Sequence, residues 1–300
     1  DLDDRDNYTF VHADIRDAEA VDRLVRAEAV DGIINFAAES HVDRSIEDPA
    51  VFIETNVTGT VNLLHAAHAH GVTRFLQVST DEVYGSLAPD DPAFTETTPL
   101  CPNSPYAASK AAADHLVHAF HHTYGLDTVI TRCSNNYGPY QFPEKMLPLM
   151  FNNARHHRPL PVYGDGLQVR DWLYVYDHCT AVWTVFCRGA AGEIYNIGGS
   201  NEMTNLDVVR RILAWLGKPE DLIEHVTDRP GHDRRYAIDS SKLQRELGWR
   251  PSVDFAGGLQ RTLDWYRAND DWMQQVTSGA YRTYYQQMYG NRQAAEQDRT

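Results

Sequence analysis

Short apolar runs alternate with longer amphipathic stretches through the first half of the chain. The runs at 8–13, 32–38, 74–78 and 127–133 have the length and apolar content of strands. Between them, apolar residues recur at helical spacing over 18–28, 50–69 and 106–124. Because strands that alternate with helices form parallel sheets covered on both faces, the pattern predicts an α/β fold with a doubly wound parallel sheet.

The pattern becomes less regular after Gly138. A strand is predicted at 160–163, a strand followed by a helix at 173–189, a short strand at 193–198, and helices alternating with loops from 201 onward. We therefore expect a sheet domain made of 1–137 and 174–199, and a smaller C-terminal domain made of 138–173 and 200–300. Ligands of doubly wound sheets bind beyond the carboxyl ends of the strands, where 37–38, 79–82 and 134–136 fall.

Sheets that bind dinucleotides usually open with a strand and a glycine-rich turn whose backbone amides bind the pyrophosphate. No glycine cluster precedes Tyr8, the glycines at 164 and 166 lie in the wrong context, and those at 198 and 199 come too late. Either the natural start of the sheet is missing from the chain, or the phosphates are bound in another way. We expect a missing start, because a parallel sheet without its central first strand leaves its neighbours unpaired.

Composition and charge exclude several classes of partner. The 300 residues carry a formal net charge of −15, from 27 basic and 42 acidic residues, which argues against a protein that binds nucleic acid or an anionic membrane. No apolar run approaches the ~20 residues that cross a bilayer. The four cysteines have no disulfide-like or metal-like spacing, so a cytoplasmic protein with reduced thiols is expected. The histidines at 65–70 and 118–122 lack a paired carboxylate in a ligand motif, and no metal site is predicted.

A tyrosine and a lysine four residues apart begin the helix predicted at 106–124. At this spacing Tyr106 and Lys110 share one face of the helix. A nearby ammonium favours the phenolate and lowers the pKa of the phenol from its reference near ~10, so that Tyr106 can take a proton from an alcohol while hydride leaves the same carbon. The spacing alone is weak evidence, but Ser79 and Thr80 at the end of the preceding strand strengthen it.

Two adjacent carboxylates, Asp81 and Glu82, follow Thr80 directly. They add an acid and a base that a simple dehydrogenase does not need. Elimination of water needs one proton removed and one supplied, and adjacent carboxyls of unequal pKa can divide these roles. Because neighbours on an extended strand point in opposite directions, both can face one substrate only from the turn after the strand. The alternative is that the two residues merely cap the following segment.

The motifs together resemble the extended short-chain dehydrogenase/reductase superfamily and, more closely, the dTDP-glucose 4,6-dehydratase family. The resemblance runs from Asp14 to about Arg292. The matching segments are 37–45 (AAESHVDRS), 79–85 (STDEVYG), 104–110 (SPYAASK), 133–140 (CSNNYGPY), 142–145 (FPEK), 170–173 (RDWL) and 228–236 (DRPGHDRRY). The resemblance implies that 1–137 and 174–199 form an N-terminally incomplete, Rossmann-type NAD-binding domain, and that 138–173 and 200–300 bind the nucleotide sugar.

The resemblance also implies a three-step reaction that restores its cofactor. Tyr106, assisted by Lys110, would deprotonate the 4-hydroxyl of dTDP-glucose as hydride passes from C4 to NAD⁺, with Thr80 hydrogen-bonded to O4. The 4-ketone acidifies the C5 proton, which Glu82 would remove while a protonated Asp81 donates to the departing C6 hydroxyl. Return of hydride to C6 would give dTDP-4-keto-6-deoxyglucose, so the enzyme would be a hydro-lyase.

Further binding residues are assigned by the resemblance alone. For NAD they are Asp14, Ile15, Phe36, Ala37, Ala38, Thr55, Tyr106, Lys110 and Asn136. For the nucleotide sugar they are Ser40, Thr80, Asn135, Lys145, Pro161, Tyr163, Arg170, Asn205, Arg229, His232 and Tyr289. Of these, Arg170, Arg229 and His232 are the candidates for the diphosphate, since arginine suits bidentate phosphate contact. Without the resemblance, Asp14 could be a helix N-cap, Arg170 half of a surface ion pair with Asp171, and Tyr289 an ordinary aromatic.

Two other functions are compatible with the sequence. An epimerase or decarboxylase of the same superfamily would share Tyr106 and Lys110 but should not require both Asp81 and Glu82. A truncated, non-catalytic chain that binds nucleotide sugars is supported only by the missing glycine-rich turn. The resemblance also implies a homodimer through a four-helix bundle to which each copy contributes 50–69 and 106–124.

Overall fold

The alternation of strands and helices predicted from the sequence is present in the computed structural model, which describes residues 5–278. The strands are β1 (Gly32–Asn35), β2 (Arg74–Thr80), β3 (Thr128–Cys133), β4 (Asn135–Tyr137), β5 (Leu160–Tyr163), β6 (Val169–Tyr174), β7 (Ile194–Ile197), β8 (Glu202–Thr204) and β9 (Ile223–Val226). The α-helices are α1 (Ala18–Ala27), α2 (Val42–Glu47), α3 (Pro49–Phe52), α4 (Thr60–Ala69), α5 (Pro105–Tyr124), α6 (Met146–Arg155), α7 (Val175–Arg188), α8 (Asn205–Leu216), α9 (Ser241–Leu247), α10 (Phe255–Ala268) and α11 (Asp270–Val276). A π-helical segment (Ile53–Gly59) joins α3 to α4, and 3₁₀ turns occupy Asp81–Tyr84 and Glu220–Leu222.

Three sheets organise these strands. The largest has the order β1-β2-β3-β7, with β1 parallel to β2 and Gly32 opposite Arg74. A three-stranded sheet has the order β4-β6-β8, in which β4 is parallel and β8 antiparallel to β6. The third is the parallel pair β5–β9. The predicted α/β class with a parallel, Rossmann-like sheet is therefore confirmed, and a smaller mixed sheet accompanies it.

One predicted strand is wrong. Residues 8–13 form no strand, and Phe10 and Val11 are 70% and 46% exposed. A strand exists through the ladder it forms with a neighbour, and in the described part of the chain β1 is the edge strand of its sheet. The apolar run at 8–13 therefore predicted a strand for which the described part of the chain offers no pairing partner.

The chain divides into two compact units. The first comprises 1–79, 104–130 and 189–193, and the second comprises 80–103, 131–188 and the described part of 194–300. In the first unit, α1 packs on α4 and α4 on α5, around fully buried residues such as Leu64, Phe75 and Leu76. Burial of each such side chain contributes roughly 1.5–3 kcal/mol. The division into cofactor and sugar domains expected from the sequence stays a prediction.

The second unit has its own apolar core. It is formed by α6, α8 and α10 around the small sheets, with Tyr137, Phe151 and Tyr266 among its largest fully buried side chains. Because strands β4, β5 and β6 are anchored in this core, the polar residues at their ends have fixed positions. No described helix has the length and apolarity that would let it span a bilayer.

Candidate active site

The turn after β2 holds two adjacent carboxyl groups. Thr80 ends the strand, and its Oγ1 accepts a hydrogen bond from the backbone N–H of Glu82 at 3.2 Å. Thr80 is therefore the N-cap of the 3₁₀ turn, and the alternative in which Asp81 and Glu82 are caps is wrong. The turn ends at Gly85, which has a φ of +93° and whose Cβ, if present, would lie 2.5 Å from the carbonyl oxygen of Cys101. Only glycine suits that position.

Asp81 occupies an environment that favours its neutral form. It is 2% exposed, and burial raises its pKa well above the usual value. The negative charges of Glu82 and Asp171 raise it further, against the charge of Arg170 and a 3.3 Å hydrogen bond from the Thr80 hydroxyl to Oδ1. The other oxygen, Oδ2, is buried and has no hydrogen-bond partner among the described residues. A neutral carboxyl in this state can supply a proton to a substrate group.

Glu82 has a different balance of charges. Its pKa is raised above the usual value, chiefly by burial and further by the charge of Asp233, while the positive charges of Arg229, Arg170 and Lys145 limit the rise. Three cations therefore favour ionised Glu82, whereas the strongest charge effects on the preceding carboxyl come from other carboxylates. Adjacent carboxyls in unequal environments are what the division into an acid and a base requires.

Arg170 is a buried cation held by backbone carbonyls. It lies on β6, is 5% exposed, and donates to the carbonyl oxygens of Val169 at 2.8 Å and Asp233 at 3.0 Å. Its guanidinium carbon lies 4.3 Å from the ring centre of Tyr236. No carboxylate of the described chain forms an ion pair with it, so its charge acts directly on the two carboxyls of the turn.

The neighbouring Asp171 makes separate contacts. It is 1% exposed, and its carboxylate accepts hydrogen bonds from the backbone N–H groups of Gly199 at 2.8 Å and Asn201 at 2.6 Å. The alternative of a surface ion pair between Arg170 and Asp171 is therefore wrong, because both side chains are buried and bind different backbone groups.

Arg229 and His232 lie on the loop after β9. The His232 ring is 2.6 Å from Oδ1 of Asp228 through Nδ1, and it meets the ring of Tyr163 edge-on with centroids 6.0 Å apart. Burial and the charges of Arg229 and Arg170 lower the pKa of His232 to about 4 despite Asp228, so the imidazole is neutral near pH 7 and Nδ1–H donates to the carboxylate. The buried Nε of Arg229 has no partner among the described residues, which leaves a donor for an anion.

Other residues predicted for the sugar nucleotide belong to the same unit. Lys145 precedes α6, Pro161 lies on β5, and Asn205 opens α8 with its N–H bonded to the Gln168 carbonyl at 3.0 Å. Asn135 opens β4, and its buried Oδ1 has no partner within residues 5–278. Lys145 is the member of this group whose charge reaches Glu82. Tyr289 lies outside the described residues.

Asn136, predicted for the cofactor, also belongs to the second unit. Its Nδ2 donates to Ser134 O at 3.2 Å and to Cys133 Sγ at 3.3 Å. Its Oδ1 is buried, and no group in the described part of the chain bonds to it. A donor on a bound ligand would satisfy this oxygen.

Tyr106 and Lys110 belong to the first unit, on the first turns of α5. Ser104 caps this helix by accepting from the N–H of Ala107 at 3.1 Å, and Pro105 suits the first helical position. Lys110 is 4% exposed, and its Nζ donates to the carbonyl oxygen of Val78 at 2.7 Å. The ammonium of Lys110 is therefore fixed near the end of β2.

The loop after the carboxyl end of β1 contains two small apolar residues and one large aromatic residue. Phe36 and Ala37 are exposed and Ala38 is half-buried, while Ser40 on the same loop is exposed. In the π-helical segment, Asn56 fixes this loop by accepting from the N–H of Glu39 at 2.8 Å and donating to its carbonyl at 3.0 Å. Small side chains beyond a strand end are what a dinucleotide requires for close approach, so Ala37 and Ala38 fit NAD.

Asp14 and Ile15 precede α1. Asp14 is not the helix cap, which is Asp17, whose carboxylate accepts from the N–H of Ala20 at 2.9 Å. Asp14 instead accepts from the side chain of Arg16, which lowers its pKa. Ile15 packs against Gly59, where a Cβ would lie 2.6 Å from its side chain. The N-cap alternative for Asp14 is thus wrong; Thr55, half-buried in the π-helical segment, completes this predicted set.

Three residues near the carboxyl pair were not assigned from the sequence. Asp171, Asp233 and Tyr236 all contribute to the electrostatics of Asp81, Glu82 or Arg170. They lie inside the matching segments 170–173 and 228–236, so the family motifs were the feature of the sequence that could have indicated these three residues. Their contacts are long-range, and only the folded chain reveals them.

Known proteins of similar sequence and structure share this arrangement of elements. A family model described as GDP-mannose 4,6 dehydratase matches residues 1–262. A dTDP-glucose 4,6-dehydratase of Xanthomonas campestris is 56% identical over 294 residues, covering 92% of this chain and 84% of that protein. A crystal structure of DesIV, a dTDP-glucose 4,6-dehydratase from Streptomyces venezuelae with NAD bound, has a TM-score of 0.89 at 52% identity and covers 92% of this chain and 84% of its own. A UDP-glucose 4-epimerase of Thermus thermophilus in complex with NAD scores 0.81 at 33% identity, with 86% and 84% covered.

The parallel sheet, the tyrosine and lysine of α5 and the paired carboxyls define a nucleotide-sugar enzyme of the extended short-chain dehydrogenase/reductase class. Within that class the chain belongs to the dTDP-glucose 4,6-dehydratase family.

Proposed function

We propose that the chain is an NAD-dependent hydro-lyase that converts dTDP-glucose to dTDP-4-keto-6-deoxyglucose. The observation that carries this proposal is the pair of adjacent carboxyls, Asp81 and Glu82, held on one turn in unequal electrostatic environments. An epimerase needs oxidation and reduction at C4 but no elimination. A neutral acid directly beside an ionisable base has a use only when water must leave the sugar.

Asp81 and Glu82 carry the elimination. Oxidation at C4 makes the C5 proton acidic, and Glu82 removes it with the three cations around it supporting its ionised form. Asp81 transfers its proton to the C6 hydroxyl, which leaves as water, and the C5–C6 double bond forms. The buried, unpartnered Oδ2 of Asp81 supports its role as the donor, since no described residue competes for it.

Tyr106, Lys110 and Thr80 carry the oxidation. Tyr106 takes the proton of the 4-hydroxyl, Lys110 stabilises the phenolate, and the hydroxyl of Thr80 is hydrogen-bonded to O4. NAD⁺, when bound, would supply the hydride acceptor for C4 and the hydride donor for C6, and Glu82 would return its proton to C5 as hydride reaches C6. The residues proposed to hold the cofactor are Asp14, Ile15, Phe36, Ala37, Ala38, Thr55 and Asn136. The carbonyl of Val78 supports this role for Lys110, because it fixes the ammonium at the strand end.

The diphosphate of the substrate is bound by cations of the second unit. Arg229 supplies its Nε–H, which has no hydrogen-bond partner among the described residues. Arg170 supplies a buried positive charge. His232 contributes a neutral imidazole, which a bound phosphate would help to protonate. Ser40, Asn135, Lys145, Pro161, Tyr163, Asn205 and Tyr289 are proposed for the rest of the nucleotide sugar.

An isotope experiment tests the reaction directly. The purified protein with NAD is incubated with dTDP-glucose that carries deuterium at C4, and the product is analysed by NMR. The proposal expects a 4-keto-6-deoxy sugar with deuterium at C6, because the hydride removed from C4 returns to C6. A product with an intact C6 hydroxyl and deuterium still at C4 would instead establish epimerase chemistry.

We also propose a homodimer through the faces of α4 and α5. Several positions on α5 are exposed, and Ala108 and Ala119 are small enough to allow helices to approach closely. Light scattering coupled to size-exclusion chromatography should give twice the chain mass of 34.0 kDa. An Ala119→Arg variant should shift the mass toward the monomer, whereas a monomeric wild-type protein would contradict the proposal.

A further inference from the structure

Tyr236 lies directly against the Arg170 guanidinium. The residue is 2% exposed, its backbone N–H donates to the carbonyl oxygen of Val169 at 3.1 Å, and its ring centre is 4.3 Å from the guanidinium carbon. The same Val169 carbonyl accepts from Arg170 at 2.8 Å. Ring and backbone of Tyr236 thus fix one side of the cation.

Asp233 binds the second terminal nitrogen of the guanidinium. Its carbonyl oxygen accepts from Arg170 at 3.0 Å, while its side chain accepts from the hydroxyl of Tyr236 through Oδ2 and from Nδ2 of Asn103 at 2.6 Å through Oδ1. The carboxylate of Asp233 therefore ties Tyr236 and Asn103 to the backbone group that holds Arg170. Asp233 is 8% exposed, so these bonds form in a buried environment.

The position of Arg170 matters because its charge is not paired with a carboxylate within the described residues. The guanidinium affects both carboxyls of the turn, favouring the ionised form of each. The energy of such an interaction depends on distance, so a displaced guanidinium changes the balance between acid and base.

We propose that Tyr236 is a positioning residue for the elimination step, which holds Arg170 beside Glu82 through its ring and through Asp233. This inference rests on the proposed function and assigns a role to a residue that does not itself contact the reacting atoms. Glu82 must be ionised to take the C5 proton. When Arg170 moves away, the pKa of Glu82 rises and the base becomes active only at higher pH.

Two variants separate the contacts of Tyr236. Tyr236→Phe keeps the ring over Arg170 and loses only the bond to Asp233, whereas Tyr236→Leu loses both. The matched control is Tyr195→Phe, because Tyr195 is similarly buried at 1% exposure, lies 4.6 Å from the ammonium of Lys242 and donates to Glu246 at 3.0 Å. Tyr195 thus contacts a cation with its ring and a carboxylate with its hydroxyl, as Tyr236 does, but its partners are Lys242 and Glu246.

The assay follows single turnovers with dTDP-glucose by the absorbance of reduced nicotinamide. Its rise reports C4 oxidation, and its decay reports elimination and hydride return. In Tyr236→Leu, we expect the acidic limb of the decay rate to move up by roughly one pH unit, with a decay about tenfold slower on that limb and an unchanged rise. Tyr236→Phe should show a smaller shift in the same direction, and Tyr195→Phe none.

Other results overturn the inference. A raised KM with an unchanged kcat and pH profile would assign Arg170 to phosphate binding alone, and profiles that superimpose on wild type would remove Tyr236 from the step. If Tyr236→Leu does not fold, Asn103→Ala keeps the test decisive, since it removes one bond to Asp233 and should shift the profile in the same direction. Absence of product from the wild-type protein would instead reject the proposed function, so the two failures are distinguishable.

Discussion

Replacement of Asp81 by asparagine tests the proposed role of its carboxyl as the proton donor in the elimination. The asparagine would fill the same buried volume, and its Oδ1 would still accept the hydrogen bond that the Thr80 hydroxyl donates at 3.3 Å. Oδ2 of Asp81 has no bond to lose among the described residues, but the amide nitrogen that replaces it carries two N–H donors, one more than the protonated carboxyl. The structural cost of Asp81→Asn should therefore be about 1–2 kcal/mol, the cost of one added buried donor without a partner.

The kinetic cost should be much larger. A side chain that transfers a proton in the transition state typically accelerates a step by about 10²–10⁴-fold. This corresponds to roughly 3–5 kcal/mol of barrier, because each factor of ten in rate is about 1.36 kcal/mol. The substituted amide has no acidic proton, so elimination should slow by this factor while the C4 oxidation that precedes it continues. Reduced nicotinamide should consequently accumulate in the variant.

The assay compares dTDP-glucose with an analogue that carries fluoride at C6. Fluoride leaves without needing the same protonation as a hydroxyl, so Asp81→Asn should turn over the analogue far better, relative to wild type, than the natural substrate. The variant Asp81→Ala serves as a control for lost volume. Equal losses on both substrates would refute the reasoning, because they would show that Asp81 orients the sugar and does not supply the proton.

The remaining predictions concern residues of the second unit and Lys110 of the first. Glu82→Gln should retain C4 oxidation but form no 6-deoxy product, and unimpaired product in an end-point NMR assay would remove Glu82 from its role. Lys110→Met should slow C4 oxidation at neutral pH by about 10²-fold or more, with recovery as pH rises and the phenol ionises unaided; a pH-independent loss in rapid-mixing experiments would contradict this. Gly85→Ala should destabilise the fold by roughly 1–3 kcal/mol in urea titrations, more than Gly217→Ala, where φ is +63° but no atom lies within 4 Å of the added Cβ. The folded state raises the pKa of Asp81, so the stability from its protonated form is complete below the unfolded pKa and is lost as pH rises through the folded pKa. The melting temperature of Asp81→Asn should therefore gain on wild type as pH rises above the ordinary aspartate pKa of 3.8.

The sequence predicted the elements that have strong local signals. Apolar spacing predicted the bounds of α5 to within one residue, and the structure shows the local cause, because Ser104 and Pro105 form the helix start and Gly125, at φ +70°, forms its end. The turn at 81–84 followed from a geometric argument about strand neighbours, and the structure confirms it. In these places local chemistry alone determines the backbone.

Long-range contacts decided what the sequence could not predict. The strand expected at 8–13 depends on a partner strand that the local pattern does not reveal. Likewise, nothing in the order of residues indicates that Asp233 meets Asn103, because 130 positions separate them. Burial and distant charges set the pKa values of Asp81 and Glu82. The sequence could therefore predict that the two values differ, but it could not show which groups cause the difference.

The position of Thr80 has a consequence for protein engineering. One residue ends β2, caps the next turn and precedes both carboxyls, while Gly85 ends that turn. Strand, cap and turn therefore do not depend on the identity of positions 81 and 82. If the proposed roles of Asp81 and Glu82 hold, two adjacent codons separate a lyase from a scaffold that can only oxidise and reduce. Combinatorial libraries at these codons then sample new chemistries on an unchanged strand, cap and turn.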